Sequence, residues 1–218
     1  MISHTMEVRL RVFAVAVAPV VLLAGFVIRP YLDNPRDPAV NAAAVLAGPS
    51  RWIVAHIVIM CGLALIVLSI LAIRFWLDAR GEEQWSFVSV ILVTVGAVGL
   101  VFLVGQDGLG GWAVVDSQGD AEAFFASART FEGPMFAIAA TLLGLGLAAL
   151  AAAVVRSRAL SRLGTVLVIA GVVVAVSVPL LPVGWAVYAL SVAAGVASWP
   201  LAWRMHQDAG APTATTRA

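Results

Sequence analysis

Six polar side chains interrupt an apolar sequence at places where they could act together: Arg29, Arg51, His56, Gln106, Asp107 and Glu132. His56 is the one histidine of three that lies inside an apolar run. An imidazole beside carboxylates can do general acid–base chemistry, and a histidine with two carboxylates is an acceptable metal set. Each of the six stands near the edge of a hydrophobic stretch. Whether they meet depends on how those stretches are threaded.

Four uses compete for them. In the first, Arg29 or Arg51 pairs with Asp107 or Glu132, His56 bonds a carbonyl or carboxylate, and the cluster fastens helices together. Glu132 would then also favour the positive end of the helix it opens. In the second, the cluster is an outward-facing pocket that binds or passively passes a small solute, a lipid headgroup or a divalent metal. In the third, His56 is a general base beside Asp107 or Glu132. In the fourth, His56 and Met135 hold a haem, although multi-pass haem proteins of this type supply paired histidines and this chain cannot. The fastening role is the expectation, with no enzyme activity, no catalytic residue and no cofactor; the binding pocket is the alternative.

Much other chemistry is excluded. All thirteen basic residues are arginine, so a P-loop and a Schiff-base lysine are ruled out. The lone Cys61 can form neither an intramolecular disulfide nor a multi-cysteine metal site. No H-E-x-x-H or G-x-S-x-G motif occurs. Net charge is +1 with no basic block, so nucleic acid is not an expected partner. No Asp, Glu, His or Arg falls in the middle of an apolar run, where ion-coupled carriers usually place one.

The elements that must position the six residues follow from hydropathy. Of the 218 residues, 62% are hydrophobic and 11% charged; soluble domains carry roughly a quarter charged. A chain this apolar has lipid as its solvent. The fold expected is all-α, a single membrane domain over residues 1–218 with six spans at about 12–28, 52–77, 85–105, 132–155, 163–181 and 184–203. The run from 163 to 203 would be about 60 Å long as one helix, twice a bilayer core of about 30 Å. It must fold back, and Pro179 to Pro182 is the place. Pro19 falls inside the first span and should kink it. Between spans 1 and 2, three prolines with Asp33, Asn34 and Asp37 give turn chemistry, and the segment after Asp37 reads as a short surface helix. Residues 106–131 read as an outer loop opening on an irregular glycine-rich stretch. That loop then carries a short interfacial helix capped by Asp120. Pro134 is placed in the first turn of span 4. Residues 204–218 read as a disordered tail.

Orientation follows from arginine. Six spans put both termini on one side, together with nine arginines; the other side holds four, Arg29, Arg36, Arg51 and Arg129. The positive-inside rule places both termini in the cytoplasm. Tryptophans 76, 85, 199 and 203 fall at the inner ends, 52 and 185 at the outer ends, and 112 in the outer loop. That is the headgroup-level belt expected of indole. Gly96 and Gly99, with the Gly/Ala-rich run of span 4, mark close helix approaches. Those faces would serve internal packing or self-association equally well.

With its WIVAH helix start, the arginine-rich link VVRSRALSRLG and its short polar tail, the chain resembles uncharacterised multi-pass membrane proteins of high-GC actinobacteria. The resemblance implies location and fold only: a multi-pass protein of a bacterial plasma membrane.

Overall fold

The computed structural model describes residues 4–177 and 183–210. The chain is all-α. In order it forms α1 (His4–Ile28), α2 (Pro38–Ala47), α3 (Pro49–Asp78), α4 (Gln84–Gly105), a π-helical turn (Gln106–Gly110), α5 (Gly111–Asp116), α6 (Ala121–Ser157), α7 (Arg162–Ser177) and α8 (Ala186–Gly210). Five stretches are long and apolar enough to cross a membrane: Met6–Ile28, Pro49–Asp78, Gln84–Asp116, Ala121–Ser157 and Ala186–Ala209. α7 is apolar but shorter, with 16 described residues. The reversal expected at Pro179 to Pro182 lies outside the described residues.

Local chemistry explains most of the boundaries. Asp37 caps α2 by accepting a bond from the Ala39 amide at 3.0 Å, and Pro38 begins the helix where its missing N–H costs nothing. Asn41 ties the preceding loop down by donating to the Pro35 and Asp37 carbonyls. α3 stops in a Schellman turn: Gly81 has φ +80°, its amide bonds Asp78, and the Glu82 amide reaches back to Leu77. The same pattern closes α5, but there the left-handed residue is Gln118, at φ 59°.

Three expectations are corrected. The stretch after Gly105 is helical to Asp116, because the π turn and α5 extend α4 without a break. The interfacial helix and span 4 are one continuous helix of 37 residues. Asp120 caps it, bonding the Ala123 amide at 3.0 Å. Pro134 and Glu132 therefore lie in its interior, and Glu132 does not sit at a positive helix end. Last, α8 continues to Gly210, so the segment from 204 to 210 is helical, not disordered.

The six longest helices close a ring. α1 lies between α3 and α8, α4 between α3 and α6, and α7 between α6 and α8. Val15, Ile73, Val93, Val154, Val168 and Leu201, one from each of these helices, meet in a single core. Small residues permit the approach. A side chain at Gly62 would lie 2.8 Å from the Leu22 Cα, and one at Gly96 2.6 Å from the Leu143 nitrogen. The small faces of α4 and α6 thus pack on each other within the chain. Polar side chains add fasteners between helices: Ser69 donates to the Ala14 carbonyl at 2.9 Å and Trp199 to Ala16 at 3.1 Å.

The two ends differ. At the end where α1 begins and α8 ends, Asp208 of α8 accepts from the Trp76 indole at 2.9 Å and from Arg80, which lies over the Trp76 ring. Glu82 pairs with Arg156 at 3.2 Å. At the opposite end, Leu32, Ala42, Val45, Trp52, Ala121 and Phe125 form a second, smaller core that joins α2 and the first turns of α6 to the bundle. Full burial of a side chain such as Phe125 from water contributes about 1.5–3 kcal/mol.

Candidate functional site

The candidate site lies under that smaller core. The end of α1, the start of α3, the π turn and α6 converge there. Its centre is Trp52, 1% exposed. The indole donates to the Asp107 carbonyl at 3.0 Å and meets Phe125 edge-on at 5.9 Å.

One turn along α3, the His56 Nδ1 bonds the Trp52 carbonyl at 2.7 Å, and the ring tilts against the indole at 4.4 Å. A carbonyl can only accept, so this bond places the proton on Nδ1 and leaves Nε2 the acceptor. The other wall is backbone. A Cβ at Gly108 would stand 2.5 Å from the His56 Cβ. Gly110 and Gly111 admit the Phe124 and Phe125 rings in the same way. The π turn thus has a steric meaning: its extra residue carries three glycines past α3 and α6, which bring bulky rings. In sequence this stretch offered glycines without apolar periodicity, the usual sign of a loop.

The charges gather in part. Arg29 lies near Asp107 and Tyr188; enclosure by protein pulls its guanidinium below the usual arginine range, and the Asp107 carboxylate opposes that. The Asp107 and Glu132 carboxyl groups lie close to one another. Oε1 of Glu132 is buried with no hydrogen-bond partner among the described residues. Arg51 does not join: its Nε donates to the Ile28 carbonyl at 2.6 Å, tying the start of α3 to the end of α1. Gln106 is half-buried at the head of the π turn.

Chemistry that needs an open imidazole has no room here. His56 is 2% exposed, between an indole and a glycine backbone, so neither a substrate nor a porphyrin fits beside it. Among the described residues no three His, Cys, Asp or Glu side chains converge as a metal set would.

Two participants went unread in the sequence. Arg129 acts on Glu132 electrostatically, and their spacing of three on a helix was the available signal. Tyr188 stacks with Tyr31 at 6.4 Å and donates to the Phe26 carbonyl at 3.3 Å; nothing local to α8 announces that. Comparison with protein-family models, curated proteins and solved structures yields no match to this chain. The site is therefore read from its own chemistry.

Proposed function

We propose that the chain is a six-span protein of a bacterial plasma membrane, α7 counted as a span, with both termini in the cytoplasm. Its role is structural, accessory or sensing rather than enzymatic. α7 is counted because it closes the ring between α6 and α8. The arginine excess on the side of the termini supports the orientation. The outer polar cluster is a fastener. The observation that carries this is where its bonds go. Trp52 bonds the π turn, Arg51 bonds α1, Asp107 faces both Arg29 and Glu132, and His56 is packed against Gly108. These contacts join α1, α3, the π turn and α6 to one another.

The test is a double-mutant cycle on thermal unfolding in detergent with Arg29→Gln and Asp107→Asn. Residues in one charge network couple by about 0.5–3 kcal/mol, so the double variant should be less destabilised than the two singles added. Strict additivity would remove the fastener. A reporter fused to the C-terminus should be retained inside the cell; export of the reporter would reverse the orientation.

A second reading rests on the Glu132 oxygen that no donor among the described residues satisfies. A small solute carrying an N–H or O–H donor would complete it, making the cluster an outward-facing binding site or part of a passive path. Glu132→Gln then separates the readings: it should abolish stabilisation by such a solute, whereas a pure fastener shows no solute effect to abolish.

A further inference from the structure

A groove of about 650 Å³ runs along the outside of the α1–α3 pair, at the end where α1 begins. Its walls are Leu10 and Ala14 of α1 and Leu68, Leu71 and Phe75 of α3. Its mouth is charged: Glu7 and Arg11 line it, they form an ion pair, and Arg11 lies 4.8 Å over the Phe75 ring. Polarity therefore changes along the groove as it does through one leaflet. From Phe75 at the mouth to Leu68 is two helical turns, about 10 Å of depth, against about 15 Å for half of a 30 Å hydrocarbon core.

We propose that this groove holds one phospholipid of the leaflet on the side of the termini, an acyl chain along Ala14 and Leu68 and a phosphoethanolamine headgroup at the mouth. The charge pattern selects the headgroup. A guanidinium matches a phosphate, and the carboxylate one turn away matches an ammonium. An anionic headgroup without an amine would set its phosphate against Arg11 and leave Glu7 facing negative charge. Both side chains are reachable, Glu7 at 54% and Arg11 at 34% exposure. The Phe75 ring and Glu7 hold the guanidinium in place before any lipid arrives, which lowers the ordering cost of binding.

The experiment is native mass spectrometry of the full chain released from detergent after incubation with equal amounts of phosphatidylethanolamine and phosphatidylglycerol. Wild type should retain one phosphatidylethanolamine in about tenfold preference, the ratio a single charge-assisted contact confers. Glu7→Gln should erase the preference while keeping lipid bound. Leu68→Trp, at an exposed position where an indole fills the groove, should lower retention about tenfold and leave the melting temperature unchanged. Equal or greater retention of phosphatidylglycerol by wild type would overturn the proposal. So would lipid retention that Leu68→Trp does not alter.

Discussion

Gly108→Ala is the sharpest probe of the packing at the end of the bundle that carries α2. The added methyl would stand 2.5 Å from the His56 Cβ and 2.8 Å from its Cγ. The first of these atoms is bonded to the α3 backbone, so no rotamer change moves it away. Overpacking typically costs 1–3 kcal/mol, and a rigid neighbour argues for the upper part, about 3. Alanine returns about 1 kcal/mol through helix propensity, leaving a net loss of about 2 kcal/mol. Gly133→Ala is the matched control: it is also helical, and its Cβ would meet nothing within 4 Å. It should gain up to about 1 kcal/mol. The two variants should therefore differ by about 3 kcal/mol, or roughly 6–12 °C at 2–4 °C per kcal/mol for a chain of this size. Thermal unfolding of the purified protein in one detergent, both variants side by side, reads that gap. If Gly108→Ala melts at or above Gly133→Ala, the π turn does not press on His56 and the account of the site fails.

Two further substitutions examine the ends of the helices. Gln118 takes a left-handed conformation, φ 59°, at the close of α5, which costs a non-glycine residue about 1–2 kcal/mol. Gln118→Gly should raise stability by about 1 kcal/mol in the same melting assay, and a loss would show that its side chain matters more than its backbone. Asp208→Ala should leave the Trp76 N–H and two guanidinium groups, Arg80 and Arg204, without their shared carboxylate. A cost of about 1–3 kcal/mol is expected, with faster amide hydrogen exchange confined to the last turns of α8. Unchanged exchange there would mean that Asp208 does not hold the helix end.

The five long apolar helices were legible because each signal was long and redundant. The run from Trp52 to Leu77 needs only hydropathy, and α3 exceeds it by a few residues at the start and one at the end. Turn chemistry at Asp37 was legible too, since proline and an N-cap aspartate act locally. The segment from Gln106 to Gly111 was not. Its glycines are there for Trp52, His56 and two phenylalanines that arrive from other helices, so nothing within the segment reveals the helix. Pro134 misled for a related reason: proline favours a first turn, yet within a membrane helix neighbouring groups can re-satisfy the backbone that it frees, even with Gly133 beside it. At the site, the shared depth of Arg29, Asp107 and Glu132 could be read from topology. The diversion of Arg51 to a backbone carbonyl could not, because that bond depends on where α1 ends relative to α3.

An unbroken helix is stiff along its axis, and α6 is one such rod, about 55 Å from Ala121 to Ser157. Its far end carries Arg156, bonded to Glu82 in the link between α3 and α4. Its near end is embedded in the small core with Phe125. A push on that small core is thus handed directly to a charged contact at the opposite end of the bundle, with no joint in between except the missing N–H at Pro134. Softening or stiffening that one position sets how much of the displacement gets through.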